Sequence, residues 1–184
     1  MPTISVDNSE IILITGPARS GKSEWAETLA QEQDLPIVYV ATAVMTTDDL
    51  EWCQRIELHR QRRPESWETW EVPVDLTQVI RRVNPPHCLL IDSVGTWVAN
   101  LLSQDDESWG QTQTELLTAL KESPLKIILV AEETGWGLVP AYPLGRQFRD
   151  RLGTLVRHLG QVANTVYLVT AGHVLNLTEL GTSV

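Results

Sequence analysis

Positive charge is scarce in this chain of 184 residues: 14 Lys and Arg stand against 24 Asp and Glu, a formal net charge of −10. That balance argues against a general nucleic-acid or anionic-membrane binder, while leaving room for a local basic site. Cysteine is scarce too. Cys53 and Cys88 fall in no metal-ligand spacing, and a chain of this length needs no covalent staple, which fits a reducing cytosol. Long apolar runs are missing, and residues 1–9 are polar with no apolar signal core, so no membrane span is expected and the expected address is the cytoplasm. Repeats and low-complexity linkers are absent as well. A single domain over 10–177 is expected, between loose ends at 1–9 and 178–184.

What is present is an alternation of short apolar runs and helix-prone stretches. Strands are expected at Ile11–Thr15, Ile37–Ala41, Cys88–Asp92, Lys126–Ala131 and Val166–Thr170. Runs of this kind suit strands buried on both faces of a parallel sheet. Helices are expected at 22–33, 48–62, about 75–82, 94–103, 108–121 and 144–163. The reading is an α/β fold, a mostly parallel sheet with helices on both faces. Ligands in such sheets gather at the carboxyl ends of the strands, where the chain places its phosphate-loop candidate, Thr42, Asp92 and Glu132-Glu133. The seven tryptophans are read as packing residues.

The stretch Gly16-Pro17-Ala18-Arg19-Ser20-Gly21-Lys22-Ser23 is a complete G-x-x-x-x-G-K-S phosphate-binding loop between a strand and a helix. Glycines let successive N–H groups turn toward phosphate oxygens, and the helix N-terminus favours the negative charge. Lys22 is expected on the β- and γ-phosphates and Ser23 on Mg²⁺. Asp92 closes the apolar strand Cys88-Leu89-Leu90-Ile91-Asp92, the pattern of a Mg²⁺-holding carboxylate, although a strand-ending Asp also serves as a helix cap.

Arg55, His59, Arg60, Arg62 and Arg63 cluster in one predicted helix of an otherwise acidic chain. Helical spacing puts Arg55 and His59 on one face, and His59 beside Arg62 and Arg63. Such a set can be a solvated basic face balanced by Glu51 and Glu57. It can also be a nucleophile site, since arginines beside an imidazole keep it neutral and hold the phosphates it attacks. A histidine in that setting can form a covalent phospho or nucleotidyl intermediate. Glu132-Glu133 can act as paired carboxylates, or one of them can simply order the turn.

The ordered motifs extend further. They include Tyr39-Val40-Ala41-Thr42-Ala43, Arg55-Ile56-Glu57-Leu58-His59-Arg60-Gln61-Arg62-Arg63-Pro64 and Trp67-Glu68-Thr69-Trp70-Glu71. Leu90 to Leu102, Glu133-Thr134-Gly135-Trp136-Gly137-Leu138-Val139-Pro140 and Arg146-Gln147-Phe148-Arg149-Asp150 complete the set. In these, from about 11 to 177, the chain resembles the bifunctional adenosylcobinamide kinase / adenosylcobinamide-phosphate guanylyltransferase family of cobalamin synthesis. The resemblance implies a RecA-like sheet of the P-loop NTPase class and a homotrimer. It implies phosphorylation of adenosylcobinamide by ATP or GTP, then transfer of GMP from GTP to adenosylcobinamide phosphate through a guanylyl-histidine.

The resemblance makes His59 and Lys22 the catalytic residues. It places the nucleotide on Gly16, Pro17, Ala18, Arg19, Ser20, Gly21, Lys22 and Ser23, on Ala41, Thr42 and Ala43, on Arg60, Gln61, Arg62 and Arg63, and on Glu71 and Asp92, with Mg²⁺ on Ser23 and Asp92. From the residues alone, Thr42 is a hydroxyl that satisfies a loop, and Glu71 a surface acid in a turn before Pro73. The chain departs from the family pattern at Pro17, Glu132, Ala141-Tyr142 and Val156-Arg157. Two other readings stand beside this one: a phosphate-loop kinase of another small metabolite, and a non-catalytic GTP-binding relative.

Overall fold

The computed structural model describes residues 9–44 and 49–184, with the Arg55 side chain outside that description. The first eight residues of the expected N-terminal tail, and position 48 of the expected second helix, therefore lie outside it. The elements run β1 (Glu10–Gly16), α1 (Lys22–Gln31), β2 (Ile37–Ala41), α2 (Leu50–Arg62), β3 (Glu68–Glu71), α3 (Leu76–Arg82) and β4 (Cys88–Asp92). Then follow α4 (Val94–Asn100), α5 (Asp106–Glu122), β5 (Lys126–Glu132), α6 (Pro143–Val162), β6 (Thr165–Thr170), β7 (His173–Asn176) and α7 (Leu177–Leu180).

The strands form one 7-stranded sheet in the order β3-β2-β4-β5-β1-β6-β7. Every neighbouring pair is parallel except β6 and β7. Apolar side chains alternate between its two faces, as the strand period of two requires. Ile11, Leu13, Val38, Val40, Leu89, Ile91, Ile127 and Leu129 pack on one side against α3, α4, α5 and α6. Ile12, Ile14, Ile37, Tyr39, Leu90, Ile128 and Val130 pack on the other against Ala26, Leu29 and Ala30 of α1. Burial pushes the Cys88 thiol up to about 12, so it stays a neutral core group. Among the described residues, no helix is long and apolar enough to cross a membrane.

All five expected strands and all six expected helices are present. Two strands were not expected. β3 is a polar edge strand with Glu68, Thr69 and Glu71 exposed, so it lacks the apolar run that marks the others. β7 follows a two-residue hairpin turn with positive φ at Ala171 (50°) and Gly172 (73°). That geometry usually announces itself as Asn-Gly or Asp-Gly, and alanine hides it. The stretch from 178, expected to be loose, begins inside α7, where the Thr178 hydroxyl accepts the Val166 N–H at 2.8 Å. The fifth helix starts two residues early because Asp105 caps it, accepting the Ser108 N–H at 2.8 Å.

Candidate active site

The phosphate loop links β1 to α1, with positive φ at Arg19 (58°) and Gly21 (94°). These left-handed residues turn backbone N–H groups inward, the geometry of an anion nest. Gly16 is required for a different reason: a Cβ there would lie 2.2 Å from the Val169 carbonyl oxygen. Lys22 and Ser23 are 6% and 8% exposed. The Lys22 ammonium donates to the Pro17 carbonyl at 3.3 Å, so the residue that gives up an N–H at position 17 supplies an acceptor. The Thr15 and Ser20 hydroxyls are buried with no hydrogen-bond partner among the described residues. Unmatched buried hydroxyls around an N–H nest are what a loop awaiting phosphate oxygens leaves.

Facing the loop across the ends of β2 and β4 is a cavity of about 540 Å³, within the range that holds one small-molecule ligand. Ala18, Lys22, Ser23, Ala41, Ala43, His59, Arg63 and Asp92 all line it. Asp92 Oδ2 accepts the Tyr39 hydroxyl at 3.1 Å and lies 3.8 Å from His59 Nδ1. Burial, with Asp92 beside it, holds the Tyr39 phenol well above its ordinary value, so Tyr39 stays a donor. Arg62 Nη2 lies 3.2 Å from the same His59 nitrogen. Guanidinium can only donate, so Nδ1 accepts from it in this arrangement.

Arg62 is gripped by α1, through Glu24 and, at 3.3 Å, through Glu27. Burial pushes the Glu27 carboxyl up, and Arg62 offsets only part of that rise. Arg63 sits 4.0 Å from the centre of the Tyr39 ring and donates to the His59 carbonyl at 3.2 Å. Tyr39 stacks in turn on Trp67, ring centres 6.4 Å apart.

The side chains of Thr42, Arg60, Gln61 and Glu71, all expected nucleotide contacts, do not line this cavity. Thr42 is fully buried, and its hydroxyl is committed to the Ser93 backbone, donating to the carbonyl at 2.8 Å and accepting the N–H at 3.0 Å. It holds the ends of β2 and β4 together, which is the loop-satisfying role. Arg60 and Gln61 point outward and bond Glu57, each at 3.0 Å. Glu71 is exposed at the end of β3, not in a turn, and is not on the cavity wall. Helical spacing explains the arginines: only one side of α2 can face the loop. Of the two readings of Glu132-Glu133, the structure fits the one in which one acid orders the turn. The Glu133 N–H donates to the Gly16 carbonyl at 2.9 Å, and its carboxylate caps Gly135, so Glu133 orders the turn. Glu132 is on the cavity wall.

Sequence reasoning missed Tyr39, Ser93 and Asn100. Tyr39 was in view within Tyr39–Ala43, yet nothing in a strand pattern says that a phenol will reach the carboxylate of the neighbouring strand. Asn100 ties the Thr42 and Pro73 carbonyls at 2.9 Å each from the end of α4.

The described residues hold no cluster of three or more His, Cys, Asp or Glu able to bind a metal by themselves. One carboxylate and one hydroxyl beside a phosphate nest instead fit Mg²⁺, which keeps waters and takes phosphate oxygens as ligands.

Residues 12–177 match the family model described as cobinamide kinase / cobinamide phosphate guanyltransferase. The chain belongs to this family. Its activities are those of a cobinamide kinase and cobinamide phosphate guanylyltransferase of adenosylcobalamin biosynthesis. It is 38% identical to the bifunctional adenosylcobalamin biosynthesis protein CobU of Escherichia coli K12, over 88% of this chain and 96% of that protein. It is 42% identical to the corresponding CobP of Pseudomonas aeruginosa, over 87% and 92%. The fold is shared more widely. An ATPase of a bacterial type III secretion system superposes with a TM-score of 0.54 at 14% identity, over 94% of this chain and 53% of that one. A protein from Pyrococcus horikoshii OT3 gives 0.57 at 8%, over 92% and 86%.

Proposed function

We propose that this chain runs both transfers from the cavity between the phosphate loop and α2, with His59 as the covalent carrier of GMP. In the guanylyl step a His59 ring nitrogen attacks the α-phosphorus of GTP. The N–P bond forms and the bond to pyrophosphate breaks. The phosphate of adenosylcobinamide phosphate then attacks the phosphoramidate, giving adenosylcobinamide-GDP. Splitting the transfer lets one nucleotide site serve an acceptor that arrives later. Lys22 and the loop from Gly16 to Ser23 hold the leaving phosphates, and Arg62 and Arg63 hold the α-phosphate side. Ser23 and Asp92 are the Mg²⁺ ligands, and the ion supplies charge neutralisation when bound. Ala41 and Ala43 give the nucleotide close backbone access.

In the kinase step the same loop orients the γ-phosphate of ATP or GTP toward the aminopropanol hydroxyl of adenosylcobinamide. A homotrimer and a cytoplasmic setting complete the reading, by likeness to the family. The observation that carries it is the meeting of Lys22, Asp92 and His59 in one cavity, with His59 Nδ1 3.8 Å from Asp92 and 3.2 Å from Arg62.

The test is incubation with α-³²P-GTP and Mg²⁺, followed by acid and base treatment. Wild type acquires an acid-labile, base-stable label, and His59→Ala does not, while still binding GTP. A label that survives His59→Ala, or no label at all, overturns the covalent mechanism.

A further inference from the structure

One polar cluster on the cavity wall has no part in the guanylyl step. Glu132 ends β5 and lies in register beside Gly16, where the phosphate loop begins. Its Oε1 accepts the Ser93 hydroxyl at 2.6 Å. The Ser93 oxygen in turn accepts the Thr96 N–H at 3.3 Å and lies 3.1 Å from the Thr96 hydroxyl. Ser93, Thr96 and Glu132 line the same cavity as Lys22 and Ser23.

Glu132 Oε2 is buried with no hydrogen-bond partner among the described residues. It rests on Gly95, where a Cβ would lie 1.9 Å from Oε2 and 2.7 Å from Cδ. Gly95 lies inside α4, a backbone any residue can adopt, so its missing side chain serves to seat the carboxylate. An unmatched buried carboxylate oxygen on the wall of this cavity calls for a chemical role.

We propose that Ser93 and Glu132 form a proton relay for the kinase step. The relay rests on the kinase reading above and deepens it. The acceptor hydroxyl gives its proton to Ser93 Oγ as Ser93 passes its own to Glu132 Oε1. The acceptor oxygen forms its bond to the γ-phosphorus. The bond from that phosphorus to the β,γ-bridging oxygen breaks, and the nucleoside diphosphate leaves with the electron pair. The proton on Glu132 returns to water when product departs. Attack by the histidine uses a ring lone pair and removes no hydroxyl proton, so the relay serves one transfer and not the other. Ser93 is the group that meets the substrate, and Glu132 acts through it.

The experiment measures kinase kcat and KM with cobinamide and a nucleoside triphosphate for wild type, Glu132→Gln and Glu132→Asp, alongside the rate of His59 labelling by α-³²P-GTP. Glu132→Gln is expected to lower kinase kcat about 100-fold, the scale of a lost general base, with KM for the nucleotide within about threefold. The loss falls on the kinase step, with labelling slowed by less than about threefold. Glu132→Asp, which restores the carboxylate, recovers about a tenth or more of the wild-type rate. A Glu132→Gln kinase within about threefold of wild type overturns the relay, and so does a parallel fall of both transfers, which marks a structural seat. A wild type that labels His59 yet shows no kinase turnover overturns the kinase reading itself, and the relay with it.

Discussion

Helices α1 and α2 bring the two halves of the proposed chemistry to one cavity, and they are held in opposite ways. α1 buries Ala26, Leu29 and Ala30 in the core, together with Lys22, Ser23 and Glu27. α2 buries none of its described side chains. Its Leu50 and Leu58 are 75% and 63% exposed, and it is moored by charge: Arg62 to Glu24 and Glu27, and Arg63 to Tyr39 and Thr69. The proposed phosphate-binding half is thus part of the core, whereas the proposed nucleophile rides on a helix held by polar contacts, those of its arginines and the Trp52 indole N–H on the Val44 carbonyl at 3.0 Å among them. The same arginines are the groups proposed to hold the α-phosphate, so the mooring of α2 and its chemistry draw on one set of side chains. Local opening costs less where few apolar groups are buried.

Three changes break or sharpen this contrast. The largest effect is on stability. Leu29→Ala, in the core under α1, is expected to cost about 2–5 kcal/mol, while Leu58→Ala on α2 costs about 0.5 kcal/mol or less. Urea midpoints of the two variants measure the gap, and equal losses would erase the distinction between the helices.

Next comes the mooring. Glu24→Gln with Glu27→Gln is expected to slow His59 labelling about fivefold while changing stability by no more than about 1 kcal/mol, because the pairs are partly solvated. Rising salt should slow labelling in wild type more than in the double variant, since the ion pairs it screens are already gone there. A salt response unchanged by the double substitution would show that α2 is held by something else.

The smallest effect belongs to Tyr39, which joins the two halves by touching both Asp92 and Arg63. Its folded phenol titrates well above the ordinary 10.0. Above that ordinary value the unfolded chain loses a proton that the folded chain keeps, so stability falls as pH climbs past it. Tyr39→Phe removes this share of the fall, at the cost of about 1 kcal/mol near neutral pH for the lost hydrogen bond. Urea midpoints at about pH 8 and about pH 10.5 test it, and parallel curves for both proteins would count against the cause named here.

The parts of the molecule that follow one-dimensional rules were readable in advance. Ile11–Ile14 and Cys88–Ile91 are strands because continuous apolar runs fit nothing else between turn signals, and the loop from Gly16 to Ser23 needs only its own spacing. At Thr42 and Glu71 the residue-level readings, a loop-satisfying hydroxyl and a surface acid, fit the structure, and only the family resemblance makes them expected nucleotide contacts. Both stand at strand ends on the ligand-binding edge, yet one hydroxyl is used up by the Ser93 backbone and one carboxylate faces solvent on an edge strand. Nothing along the chain separates a group that lines a cavity from one that braces its wall. Glu132 is the reverse case: its place on the wall depends on Gly95, 37 positions earlier in the chain and brought close only by folding.

The size of the cavity sets a timetable. At about 540 Å³ it matches a single small-molecule ligand, and Lys22 and His59 are both on its wall. On the proposed reading one nucleotide at a time occupies it, and the nucleotide spent in one transfer vacates before the other transfer loads. The proposed site then works as a turnstile rather than as a two-station bench, and an excess of either nucleotide acts as a competitor of the step it does not feed.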